Sequence, residues 1–195
     1  WVYSILSNTW DEITGLSVKP SARAYSSSTL INYNMIVFGG NDDTNYLNDV
    51  WLFNLLNHTW SQLSPTGTSP SHRYLHSSSA YENNMLIYGG FDGSKLEDIS
   101  MLDLNSSHWT KVEISGVKPS PRHAATMITF NHKALVFGGN SVSNDLWSLD
   151  LSNFTTTPEP TTTTAEPTTT TAEPTTTTEE PTTTTEEPTT TTQTP

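Results

Sequence analysis

The 195-residue sequence contains no cysteine. Disulfides, thiolate metal sites and a cysteine nucleophile are thereby excluded, while the cellular compartment stays open. No apolar run approaches 18 residues, so no segment is long enough to span a bilayer as a helix. Basic residues are few, 8 Lys and Arg against 20 Asp and Glu, and they form no cluster; this argues against nucleic acid as a partner. The G-x-S-x-G, H-E-x-x-H and P-loop patterns are all missing. Neither an initiator Met nor a signal peptide precedes Trp1, and the expectation is a piece of a longer protein.

One stretch lacks far more. Residues 155 to 195 have no aromatic, no Gly and no basic residue, only 24 Thr, 7 Pro, 7 Glu, 2 Ala and 1 Gln. Such a composition cannot build a core and predicts a disordered stalk. Every Trp, Tyr and Phe lies in residues 1 to 154, which carry 13 acidic and 8 basic residues and form the foldable part.

That part repeats itself. Trp10, Trp60 and Trp109 are separated by 50 and 49 residues, as are Arg23, Arg73 and Arg122. The pairs Gly39-Gly40, Gly89-Gly90 and Gly138-Gly139 keep the same spacing, and Asp49, Asp98 and Asp145 follow at nearly the same phase. A fixed period near 50 residues points to a stacked or radial repeat architecture.

Each copy reads as β. Met35-Ile36-Val37-Phe38, Met85-Leu86-Ile87-Tyr88 and Ala134-Leu135-Val136-Phe137 are short apolar runs closed by Gly-Gly, as expected of buried strands ended by a turn. A strand headed by Asp follows, carrying Trp51 in copy one and Trp147 in copy three, and then a strand bearing Trp60 or Trp109. With the Arg-led segment in front, each complete period holds four short strands. The glycines are assigned to close backbone approach, the indoles to apolar area between sheets, and each Asp to turn amide protons.

The recurring set of Arg, apolar run with Gly-Gly, Asp-Val-Trp and Trp over residues 1 to 151 resembles the kelch repeat, the blade of one class of β-propeller. The resemblance implies an all-β fold, a partial propeller of about three four-stranded blades, with the glycine-ended second strand near the central channel and the fourth outermost. No Trp-bearing fourth strand follows Leu151; the strand around Trp10 is the candidate to complete that blade. Because three blades fall short of the usual four to eight, further blades are expected before Trp1.

From Pro160, prolines recur every seven residues with four Thr in each unit, which resembles the mucin-like stalks of extracellular proteins; an unmodified intracellular linker is the alternative. Three N-glycosylation triplets begin at Asn57, Asn105 and Asn153, all in or just after the connection that follows strand three. Sugar there leaves the opposite end, with the loops after the Gly-Gly pairs, for a partner. The predicted localisation is extracellular or cell-surface, with membrane attachment only through an anchor outside these residues.

The candidate ligand face holds Asn41, Asp42, Asp43 and Asn45 from copy one, Phe91, Asp92 and Lys95 from copy two, and Asn140 from copy three. These positions vary between copies while the framework does not, the usual mark of recognition loops on a rigid scaffold. Arg23, Arg73 and Arg122 are a second candidate set for an acidic ligand; the competing assignment pairs each with a neighbouring Asp or carbonyl to hold adjacent blades. No metal or cofactor is expected, and Asp42-Asp43 supply too few oxygens for calcium. The leading expectation is a non-catalytic module binding protein or glycan. The alternatives are a carbohydrate-active enzyme resembling galactose oxidase, with catalytic residues outside this stretch, and an intracellular kelch adaptor.

Overall fold

The computed structural model describes residues 1 to 140 and 143 to 154. The Thr/Pro segment from 155, and with it the expectation of disorder, lies outside the described residues. All regular structure among the described residues is β.

The chain opens with a hairpin of β1 (Val2–Ser4) and β2 (Thr9–Asp11), which pair only with each other. The first blade follows in simple order: β3 (Ser27–Ile31), β4 (Asn34–Asn41), β5 (Tyr46–Asn54) and β6 (Thr59–Leu63). A short β7 (Thr66–Gly67) then pairs in parallel with the outer strand of the second blade. That blade is β8 (Ser77–Tyr81), β9 (Asn84–Phe91), β10 (Lys95–Asp103) and β11 (His108–Val112). The third has three strands among the described residues, β12 (Thr126–Phe130), β13 (Lys133–Phe137) and β14 (Leu146–Asp150). The expectation that the strand around Trp10 completes it is not met, since β2 does not pair with β14.

Two further expectations are corrected. Gly39-Gly40 and Gly89-Gly90 do not end their strands: β4 and β9 run through them to Asn41 and Phe91, with a pairing irregularity at the glycines or opposite them. The second strand, expected near the central channel, lies one place out from the strands through which the blades meet. It is β3, β8 and β12 that meet, through Thr29 Oγ1 donating to Ser78 Oγ at 2.8 Å and Ser77 Oγ donating to the Ala125 carbonyl at 2.6 Å. Small hydroxyl side chains suit strands that approach closely at the crowded inner edge, because each finds a partner across the gap.

Side-chain alternation along β9 builds two cores from one strand. Met85 and Ile87 join Ile36, Phe38, Val50 and Trp109 between blades one and two. Leu86 and Tyr88 join Ile99, Met127, Val136 and Leu151 between blades two and three. A strand covered on both faces must be apolar throughout, which is why β9 shows a continuous run instead of an alternating one.

The tryptophans divide by what stands beside them. Trp109 is 1% exposed and meets Phe38 at 5.2 Å between centroids. Trp60 is half-buried against Phe53 and Trp51. Trp10, assigned to the framework from its phase, is 63% exposed and contacts Tyr3, because no preceding sheet covers it among the described residues.

Candidate functional site

The three arginines are framework. Each guanidinium makes five hydrogen bonds, the full complement of its donors. In blade two, Arg73 donates Nε to the Ser71 carbonyl, one terminal nitrogen to the Gly89 carbonyl and Asp98 Oδ1, and the other to Asp98 Oδ2 and Ser71 Oγ, at 2.7 to 3.1 Å. Arg23 repeats this with Ser21, Gly39 and Asp49, and Arg122 with Ser120, Gly138 and Asp145. Arg73 and Arg122 are 2% exposed. No donor remains for an acidic ligand, so the arginines leave the candidate face.

The same residues also join blades, through backbone. The Arg73 carbonyl accepts from Gly40 N and its N–H donates to the Leu47 carbonyl; the Arg122 carbonyl accepts from Gly90 N and its N–H donates to the Leu96 carbonyl. A Cβ added to Gly89 falls 2.6 Å from the Arg122 carbonyl oxygen, at φ +62°, so glycine is demanded by space and by backbone alike.

Among the described residues Asp49, Asp98 and Asp145 do not cap turn amides as expected; they are the carboxylate half of these locks. Asp49 also accepts the Trp51 indole N–H at 2.6 Å, and Asp145 that of Trp147 at 2.5 Å. The bonds from Arg122 and Trp147 hold the Asp145 carboxyl well below its usual range. Burial alone would raise Asp49, but Arg23 and Trp51 bring it below the ordinary carboxylate value.

The loop residues behave differently. Asn41 and Asp42 are turn builders: Asn41 Oδ1 accepts from Asp43 N at 2.7 Å, and Asp42 Oδ1 from the amides of Thr44 and Asn45 at 3.1 and 2.7 Å. Those amide bonds, Asn45 first, lower the Asp42 carboxyl. Asp42-Asp43 therefore do not act as a matched pair of free carboxylates. Asp43 stands exposed at φ 73°, and its carboxylate makes no hydrogen bond to a described residue. Asp92 accepts from Ser94 and, at 3.0 Å, from Ser71 Oγ. Lys95 Nζ donates to the Asn140 carbonyl at 3.2 Å, tying the loops of blades two and three together. Ser141 and Val142 lie outside the described residues. No group of three or more His, Asp or Glu able to hold a metal occurs among the described residues.

Residues absent from the sequence-based candidates complete this end. Tyr74 pairs by backbone with Phe91, and their rings lie 5.7 Å apart. Tyr46 lies 4.9 Å and Tyr25 5.8 Å from Tyr74, and His123 lies 5.7 Å from Phe91. A chain of rings thus crosses three blades. The sequence signal was available: Tyr74 matches Ala24 and His123 in the other copies, and Phe91 matches Asn41 and Asn140, so the aromatics sit where the framework does not require them.

Asn57 and Asn105 are exposed in the turns joining β5 to β6 and β10 to β11, and Asn153 is exposed after β14, at the opposite end of the strands from the loops. Asn57 Oδ1 accepts from Thr59 Oγ1 at 2.6 Å, and Asn105 Oδ1 from Asn83 Nδ2 at 2.8 Å.

Antiparallel sheets in repeated order, joined at their inner strands and locked by recurring Arg-Asp pairs, define the blades of a β-propeller. The KLHDC2/KLHL20/DRC7 Kelch-repeats domain family matches residues 1–139, and the chain belongs to this family. No curated protein matches it. Kelch repeats form protein-binding modules, which is the class of role that membership assigns.

Proposed function

We propose that this chain is a non-catalytic recognition module that binds its partner at the loop end of the blades, through residues 41 to 46, 74 and 91 to 95. One observation carries the reading. The recurring Arg-Asp pairs are saturated, whereas the loop-end residues differ between copies and leave rings and a carboxylate facing solvent. Rigid sheets presenting variable loops are the ordinary basis of selective binding.

The remaining features support an extracellular or cell-surface setting. The triplets at Asn57, Asn105 and Asn153 share one end of the blades, so glycans there leave the loop end clear. The Thr/Pro segment has the composition of an O-glycosylated stalk. Mass spectrometry of the natural protein is expected to find sugar on these asparagines and on the threonines; finding both unmodified favours an intracellular adaptor.

The binding end is tested by selecting a displayed random-peptide library against the 195-residue chain. Selected peptides are expected to lose binding to Phe91→Ala and to the Asp42→Ala, Asp43→Ala double variant, while both variants keep their far-ultraviolet circular dichroism. Unchanged affinity in both variants overturns the reading.

A further inference from the structure

We infer that the loop end takes a basic partner, binding Arg or Lys side chains against the Tyr46, Tyr74 and Phe91 rings beneath a rim of carboxylates. The inference rests on the loop-end reading above and supplies its chemistry.

The rings come first. Tyr74 is the hub, within 4.9 to 5.8 Å of Tyr25, Tyr46 and Phe91, and the ring pairs are inclined by 43 to 70°. Tyr25 is 60% exposed and Tyr46 also faces solvent. Four aromatics from two blades converge on one end although no other copy has an aromatic at three of their four positions: Leu75 and Ala124 match Tyr25, Lys95 matches Tyr46, and Asn41 and Asn140 match Phe91. Folding does not demand this cluster, since the equivalent positions of other blades do without it. Rings inclined to one another by 43 to 70° present no single flat platform. A pyranose stacks on a flat platform, whereas a guanidinium or ammonium needs only one exposed ring face.

The charge selects the occupant. Asp92 follows Phe91 directly, and Asp43 lies in the turn whose strand ends, Asn41 and Tyr46, pair with each other. Asp43 is exposed, and its carboxylate is bonded to no described residue. Arg23 and Arg73 are each bonded to their own Asp, and Arg73 adds only a minor pull on the Asp92 carboxylate, after its bonds from Ser71 and Ser94. Lys95, paired across from Phe91, is the one cation of these turns, and its Nζ is drawn to the Asn140 carbonyl of blade three. A cation placed over aromatic faces gains from the ring quadrupole and pairs with the adjacent carboxylates. A neutral apolar segment in the same position strips water from those carboxylates without replacing it, which is unfavourable.

The test uses a Gly/Ser peptide carrying two arginines, its isosteric citrulline counterpart and maltohexaose, titrated into the 195-residue chain by calorimetry at low and physiological salt. The arginine peptide is expected to bind, the citrulline peptide at least about tenfold more weakly, and added salt to weaken the former. Tyr74→Leu keeps apolar bulk but removes the ring; it is expected to weaken arginine-peptide binding about fivefold or more. Because Tyr74 is half-buried, Asp43→Asn provides a second variant at an exposed site where Asn tolerates the same backbone, with a smaller loss of about two- to fivefold expected. No binding of the arginine peptide at millimolar concentration, equal binding of the citrulline peptide, preference for maltohexaose, or indifference to both variants overturns the inference. Failure here is separable from failure of the loop-end reading: library-selected peptides that lack basic residues yet lose binding to Phe91→Ala sink the basic partner alone.

Discussion

The residues that recur in every blade and those that do not have opposite physical character. Arg73 and Arg122 have no unused donor and almost no exposure, while Tyr25, Tyr46 and Asp43 are exposed, and the Asp43 carboxylate has no partner among the described residues. The difference teaches where stability and recognition are kept. Recurrent positions carry the fold, and the variable end can change without unfolding it.

The largest expected effect sharpens this division within the framework itself. Trp109→Ala removes an indole buried between two blades and should cost about 3 to 5 kcal/mol in urea denaturation. Trp10→Ala, at the same phase but largely exposed, should cost less than about 0.5 kcal/mol. Comparable losses would mean that phase, not the neighbouring sheet, sets the contribution.

Next in size is the glycine pair. Gly89→Ala drives a Cβ into the Arg122 carbonyl and should cost about 3 kcal/mol or more. Gly138 has a similar φ of +69°, but the nearest described atom to its added Cβ is Ser143 O at 3.7 Å, so Gly138→Ala should cost only about 1 kcal/mol. Equal destabilisation would remove close blade approach as the reason for these glycines.

Acid titration gives a third contrast. His76 is buried between blades one and two with Nε2 2.7 Å from Ser27 Oγ, while the matching residues are Ser26 and Ala125. Burial, and then Arg73, push its pKa down to about 3. The folded protein keeps this ring neutral where the unfolded chain takes up a proton, so stability is full above about pH 6.5 and falls as pH drops towards 3. Between pH 6.5 and 5 the loss should be about 2 kcal/mol, and His76→Gln should flatten that limb. The smallest effects belong to the loop end: Asp43→Asn should shift stability by less than about 0.5 kcal/mol.

The repeat, the all-β class and the four-strand copies were legible in the sequence because each depends on local pattern recurring in phase. Gly138-Gly139 follow the end of their strand as expected, whereas Gly39-Gly40 and Gly89-Gly90 lie within theirs, since a glycine that admits a neighbour's backbone looks the same in sequence as one that makes a turn. The arginines were ambiguous for a related reason: saturation by Asp, Gly carbonyl and Ser is a property of distant strands. Ser-x-Arg recurring at Ser21, Ser71 and Ser120 was the overlooked clue. Of the ring cluster, Phe91 alone was singled out, because Tyr25, Tyr46 and Tyr74 do not recur and meet only when two blades pack.

The central claim is that the partner binds at the loop end of the blades. Hydrogen exchange of the 195-residue chain with and without a library-selected peptide tests it most directly. The account predicts new protection in residues 41 to 46, 74 and 91 to 95, with the turns at 55 to 58 and 104 to 107 unchanged. Protection confined to those turns would contradict it.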